Sequence, residues 1–195
     1  MAPADAPLRV RAFARAVAVA PYAFWVWPIY ILGFPLLFLI MARKNNYPDN
    51  YLLLFLFTVT MAYMVGYCCT AIGVDRPWLV YEAFLITGAV FCALTLFTIQ
   101  TKIKLEAYGG VLLICLISLI TVSYIQLFLF PEAEVLSTAL LWIGVVLFSV
   151  YIMYDVSMIC ERLGYDDYIV AALELYLDII NLFLRILSLL GGRRD

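Results

Sequence analysis

The stretch YIVAALELYLDIINLFLRILSLL, residues 168–190, decides the fold, because it is long and apolar enough to cross a membrane and yet carries acid. About 20 mainly apolar residues span a bilayer as a helix. A carboxylate at membrane depth costs roughly 2.5–3.5 kcal/mol on insertion scales and usually marks an ion or proton pathway. Asp178 lies in this stretch, and Asp155 lies in a similar one, VVLFSVYIMYDVSM at 145–158. We therefore expect the function to depend on these two aspartates.

The composition indicates a membrane protein that crosses the bilayer several times. Hydrophobic residues make up 67% of the 195 residues and charged residues 13%, whereas a soluble domain is about half apolar and a quarter charged. The net charge is −2 and the basic residues are scattered through loops and termini, so nucleic acid is not an expected partner. The expected partner is the lipid bilayer.

Six apolar segments are each long enough to span as a helix: 21–42, 51–72, 78–100, 108–130, 135–158 and 168–190. A basic stretch, 1–20, precedes them. The connections are short, so sequential helices should be antiparallel neighbours. We predict an all-α polytopic membrane bundle in which the last helix is central, because it alone carries four polar residues on one side.

The distribution of Lys and Arg predicts the orientation. Basic residues lie mainly in the connections after segments one, three and five: Arg43, Lys44, Lys102, Lys104 and Arg162. By the positive-inside rule these connections are cytoplasmic. The termini conflict with this orientation, because Arg9, Arg11, Arg15, Arg193 and Arg194 would then lie on the opposite side.

Two motifs in the C-terminal third resemble the signature of the Bax-inhibitor/Lifeguard (transmembrane Bax-inhibitor-motif) family. They are MetTyrAspVal at 153–156 and the run DDYIVAALELYLDIINLFLRIL at 166–187. Weaker matches follow in the same order along the chain: 10–17, 57–60, 82–87 and 94–102. The resemblance implies seven helices, the first of which has no counterpart in these six segments. A flipped N-terminus and a natural or annotation-level truncation both explain the topology conflict.

The chain also departs from the family pattern. Lys104 stands where many members carry an acid, and Glu174 and Arg185 add charge where small or polar residues are usual. Glu174, Asp178, Asn181 and Arg185 are spaced i, i+4, i+7 and i+11, which places them on one side of a helix. Counting back from a turn near Gly164 puts Asp155 level with about residue 173 on the antiparallel partner.

Several carboxylates in one apolar pocket should share protons or bind a cation. Oxygen ligands suit Ca²⁺, and the absence of His removes the usual zinc and copper sites. The resemblance implies a pH-sensitive calcium leak from the endoplasmic reticulum or Golgi, gated by the two aspartates, which serves calcium homeostasis and suppresses apoptosis. Asp155, Asp178 and Glu174 form the expected ion pathway and pH sensor, with Asp155 and Asp178 the possible calcium ligands. The supporting residues are Asn181, Arg185, Asp166 and Glu82.

Other interpretations stay open. In the first, the carboxylates form a static buried pair, or Arg185 forms an ion pair with Asp178, and either arrangement only stabilises the bundle. A second class is a non-conducting regulator that acts through cell-death proteins or other membrane proteins. A third is an intramembrane aspartyl protease, but LeuTyrLeu precedes Asp178 and no Pro-Ala-Leu motif occurs. We expect no enzymatic activity, no catalytic residue and no cofactor besides calcium as permeant or bound ion.

Overall fold

The computed structural model describes residues 28–29, 31–73, 76–101, 105–130, 132–161 and 168–192, all of which are helical or in short connections. The helices are α1 (Ile31–Arg43), α2 (Asp49–Gly73), α3 (Trp78–Thr101), α4 (Gly109–Leu129), α5 (Glu134–Glu161) and α6 (Tyr168–Gly192). A short 3₁₀ turn, Glu106–Tyr108, precedes α4. The predicted all-helical fold is confirmed. The basic stretch 1–20, Lys102, Lys104, Arg162 and Asp166 lie outside the described residues.

Within the described residues, four helices, α2 to α5, are long and apolar enough to cross a membrane. The described part of α1 is shorter. Helix α6, predicted as a span at 168–190, is 25 residues long but is not one of these four. Among α2 to α6 it is the helix whose polar residues gather on one side. The architecture is that of a helical membrane bundle with several spans.

Most of the surface of these helices is apolar, as expected where lipid is the solvent. Phe38 and Phe128, for example, are more than 70% exposed. Several hydroxyl groups within the spans donate to the carbonyl one turn earlier, as Thr87 does to Ala83 and Thr98 does to Leu94, whereas the buried Thr95 hydroxyl has no partner among the described residues. This local bond satisfies a polar group that has no water to bind in a bilayer. Threonine and serine are therefore compatible with a membrane-spanning position here.

The described residues form two compact units that divide between Tyr81 and Glu82, within the first turns of α3. In the first unit, α1 and α2 bury Leu36, Ile40, Leu53 and Phe57. Their connection is held by polar contacts. Arg43 forms an exposed ion pair with Asp49 at 3.1 Å, and the Asn50 amide donates to the Lys44 carbonyl at 3.0 Å.

In the second unit, α5 packs against both α4 and α6, and its contact with α6 is the more extensive. The buried apolar residues come from both members of that pair. Ile152 and Val156 on α5, with Leu173, Leu182 and Leu187 on α6, are at most 4% exposed. The antiparallel pair α5–α6 is therefore the scaffold that positions the two aspartates. A central position of α6 in the whole bundle stays a prediction.

Candidate functional site

Asp155 and Asp178 meet across the α5–α6 interface. Each is 7% exposed. The two carboxyl groups lie within hydrogen-bonding reach of each other. Two carboxylates this close repel each other when both are ionised, so we expect one of the pair to carry a proton over part of the pH range. The two groups should therefore titrate as a unit.

The contact forms between two continuous helices. α5 runs without a break from Glu134 to Glu161 and α6 from Tyr168 to Gly192, so no broken helix is needed to bring the aspartates together. The estimate that Asp155 lies level with about residue 173 was wrong by more than one turn. It assumed parallel helix axes and a symmetrical turn near Gly164, and packed helices usually cross at an angle.

The second oxygen of Asp178, Oδ2, is buried and has no hydrogen-bond partner among the described residues. Buried polar atoms are satisfied in the great majority of cases, so this atom calls for an explanation, such as strain, a functional role or a bound water molecule or ion. Asp178 is one of the residues that line a cavity of about 490 Å³ between α4, α5 and α6. A proton, a water molecule or a cation entering this cavity would supply the missing partner.

The cavity joins the acidic pair to most of the other predicted site residues. Its lining consists of Leu116, Ile120, Phe148, Tyr151, Tyr154, Asp155, Met158, Glu174, Leu177, Asp178, Asn181 and Arg185. All four members of the predicted polar side of α6 belong to this lining. Glu82 on α3 is not among these residues, and Asp166 lies outside the described part of the chain.

Glu174 and Asn181 flank Asp178 on α6. Glu174 is exposed, and its charge acts on both aspartates. The Asn181 amide donates to the Leu177 carbonyl of its own helix at 2.9 Å, which leaves its side-chain oxygen as an acceptor. Glu174 therefore contributes negative charge to the site, and Asn181 contributes a neutral polar surface.

Arg185 does not pair with Asp178 in the described structure. Its Nη1 donates to the Leu140 carbonyl at 3.3 Å, and its Cζ lies 5.4 Å from the centroid of the Phe148 ring. Both partners belong to α5. An Arg185–Asp178 lock, one of the interpretations open from sequence, is therefore not the arrangement observed.

Two tyrosines of the site were missed by the sequence analysis. Tyr151 lies one turn before Asp155, and its hydroxyl group interacts electrostatically with both aspartates. The Tyr154 hydroxyl lies against Gly109, the first residue of α4. A Cβ atom placed on this glycine would be 2.6 Å from the hydroxyl oxygen. The i−4 spacing from Asp155 was the signal that would have found Tyr151, since residues four apart share a helix face.

The described residues offer an incomplete set of ligands for a resident metal ion. The described residues contain no group of three or more His, Cys, Asp or Glu side chains placed to hold a metal. A calcium ion takes 6–8 oxygen ligands, and two carboxyl groups supply at most four oxygens. Water or other oxygens would complete the shell of any calcium ion at Asp155 and Asp178.

Comparison with known proteins now places the chain. A family model described as "Inhibitor of apoptosis-promoting Bax1" matches residues 8–195. The chain belongs to this Bax-inhibitor family. The suspected resemblance is thereby confirmed over nearly the whole sequence.

Individual members of the Bax-inhibitor family match the chain at similar levels. Bax inhibitor 1 of Schizosaccharomyces pombe is 37% identical over 177 residues, which cover 87% of this chain and 65% of that protein. Protein lifeguard 4 of Mus musculus is 36% identical over 83% of this chain and 66% of its own length. The Golgi anti-apoptotic protein of Vaccinia virus is 33% identical over 80% and 63%. The chain therefore spans just under two thirds of the length of these relatives.

Proposed function

We propose that this chain forms a pH-sensitive calcium leak in an intracellular membrane, with the Asp155–Asp178 pair as its gate. The observation that carries the proposal is the direct contact of two buried carboxyl groups in a cavity between membrane helices. Such a pair holds one proton fewer as pH rises. The two like charges then repel each other across the α5–α6 interface, so protonation changes both the charge and the packing of the gate.

The unsatisfied Oδ2 of Asp178 supports cation passage through the same place. A cation that approaches it meets a carboxyl oxygen that no group of the described residues occupies. Two carboxyl groups bind such an ion weakly compared with a complete calcium site, and weak binding is what conduction needs, since the ion must also leave. Calcium is therefore proposed as a transported ion and protons as the regulator.

The membrane and the biological role are proposed from the relatives. The names of Bax inhibitor 1 and of the Golgi anti-apoptotic protein report cell-death control, and the second also reports a Golgi location. We extend these to this chain as suppression of apoptosis from the endoplasmic reticulum or Golgi. The protease alternative is not adopted, because its Pro-Ala-Leu motif is absent from the sequence.

The test is calcium flux from liposomes that contain the purified protein, measured from pH 6 to pH 8. We expect a leak that varies with pH and is changed in both rate and pH profile by Asp178→Asn, which keeps the shape of the side chain and removes its charge. Asp49→Asn is the matched control, since Asp49 is exposed and pairs with Arg43 away from the cavity lining. Wild-type liposomes that leak no faster than empty ones would contradict the proposal.

A second candidate function is a non-conducting regulator that acts through cell-death proteins in the membrane. The observation in its favour is that the relatives' names describe cell-death control without mention of transport. Cells that express Asp178→Asn separate the two functions. A regulator that works only through partners would keep its protective effect in this variant, whereas protection that depends on the leak would change together with calcium flux.

A further inference from the structure

Arg185, on α6, lies at one end of the cavity, where its side chain contacts residues of α5. Phe148 packs against its guanidinium, and the Leu140 carbonyl accepts one hydrogen bond from it. The outer part of the side chain, from Cδ through Nε to Cζ, lies directly against the backbone of Gly144. A guanidinium has five N–H donors, and this contact uses one of them. Because Arg185 lines the cavity, the charge of its guanidinium acts there.

The charges of the cavity are separated along α6. From the described lining, α4 contributes no charged group, α5 contributes Asp155, and α6 contributes Glu174, Asp178 and Arg185. Asp178 and Arg185 are seven residues apart, which is about 10 Å along a helix. No ion pair joins Arg185 to a carboxylate within the described ranges. The cavity is therefore negative at one end and positive at the other.

A purely structural role does not require this charge. Apolar side chains would fasten α5 to α6 without the cost of taking a guanidinium out of water. A charged residue inside a membrane bundle usually faces a cavity and marks an ion pathway. Since Arg185 lines the same cavity as the acidic pair, its charge acts on any ion that reaches that pair.

We propose that Arg185 is a selectivity-determining residue, a fixed positive charge that opposes the entry and passage of cations through the cavity. This inference rests on the proposed leak function. Electrostatic repulsion is proportional to the charge of the ion, so Arg185 opposes a divalent cation twice as strongly, in free energy, as a monovalent one. It attracts anions. Arg185 thereby keeps the calcium leak small.

The test compares K⁺, Ca²⁺ and Cl⁻ flux through wild type, Arg185→Gln and Arg185→Lys in liposomes. If Arg185→Gln raises K⁺ flux about threefold, Ca²⁺ flux should rise about tenfold, the square of that factor, while Cl⁻ flux falls. Arg185→Lys keeps the charge and should keep the wild-type ratios. Arg43→Gln removes an exposed arginine that is not part of the cavity lining and is the matched control.

A second variant keeps the proposal testable if Arg185→Gln does not fold. Asn181→Asp places a carboxylate four residues before Arg185 on the same side of α6, where it can form an ion pair and cancel the charge. We expect the same increase of Ca²⁺ over K⁺ flux in this variant. Retention of the wild-type flux ratios in the folded variant would overturn the proposal.

Two results separate failure of this inference from failure of the leak itself. Equal changes in all three fluxes in Arg185→Gln would show a loosened bundle and overturn the selectivity role, while the leak would stand if Asp178→Asn still altered calcium flux. Absence of ion flux in wild type and in every variant would overturn both. A change in the Ca²⁺ to K⁺ ratio confined to the charge-removing variants supports the inference.

Discussion

The guanidinium of Arg185 on α6 lies over the ring of Phe148 on α5, with Cζ 5.4 Å from the ring centroid. Phe148 lies seven residues before Asp155, and Arg185 lies seven residues after Asp178. One antiparallel register of α5 and α6 therefore produces both the cation–π contact and the carboxyl pair. Two helical turns, about 10 Å, separate the two contacts. The same packing of α5 against α6 therefore positions both Arg185 and the acidic pair.

Gly144→Ala should lower the stability of the protein by disturbing the packing of α5 against α6. The added Cβ would overlap the outer atoms of the flexible Arg185 side chain, which must then move away from Phe148 and Leu140, so the cost should lie at the low end of the about 1–3 kcal/mol typical of overpacking. Thermal unfolding in detergent measures the loss. Gly88→Ala is the control, because a Cβ at Gly88 meets open space and should stabilise the helix by about 0.8–1.0 kcal/mol. An equal gain of stability in both variants would contradict the packing described for Arg185.

Tyr151→Phe should change the leak and leave stability nearly unaltered. The substitution removes a hydroxyl group that interacts electrostatically with both aspartates, and it keeps the ring that fills the cavity wall. We expect a shifted pH profile of calcium flux, with a melting temperature close to that of wild type. Tyr124→Phe on α4, outside the cavity lining, is the comparison. Identical pH profiles for Tyr151→Phe and wild type would exclude the Tyr151 hydroxyl from the gate.

Glu174→Ser should move the midpoint of the pH profile to lower pH. The Glu174 charge repels the ionised form of the aspartate pair, so its removal lets the pair lose its proton at a lower pH. Calcium flux measured at half-unit steps of pH gives the midpoint. Glu134→Gln, an exposed acid at the start of α5, provides the control. A midpoint that moves upward would mean that Glu174 does not act by repulsion.

The helical segments were predictable from sequence, and the details of the site were only partly so. The segments at 78–100, 108–130 and 168–190 agree with α3, α4 and α6 to within two residues at each end, because a run of apolar residues ends sharply at charged or Gly/Pro positions. The periodicity of α6 likewise placed Glu174, Asp178, Asn181 and Arg185 on one side. These are local properties, which sequence specifies directly.

The contacts between helices were not predictable in the same way. The pairing of Asp155 with Asp178 instead of residue 173 depends on how α5 and α6 cross, and the separation of Arg185 from Asp178 depends on the space at Gly144. Neither follows from spacing along one helix. The pattern of charged residues does not identify Tyr151, because its hydroxyl group, one turn away from Asp155, is neutral.

The orientation predicted by the positive-inside rule can be tested by labelling single cysteines. Replacement of Lys104 or Asp166 by Cys, in a chain whose five native cysteines are replaced, should allow labelling by a membrane-impermeant maleimide from the cytosolic side. Glu132→Cys, in a connection predicted to lie on the opposite side, should stay protected. Protection of both Lys104→Cys and Asp166→Cys from the label would contradict the predicted orientation.

The most direct test of the gate is a double-mutant cycle on calcium flux with Asp155→Asn, Asp178→Asn and the combination. Because the two carboxyl groups are proposed to share a proton as one unit, each single variant should change the leak by about tenfold and flatten its pH profile. The double variant should differ from either single variant by less than about threefold. Folding is checked for each variant by its thermal unfolding. Effects of the two substitutions that multiply independently, or single variants whose leak and pH dependence equal those of wild type, would contradict a gate formed by Asp155 and Asp178.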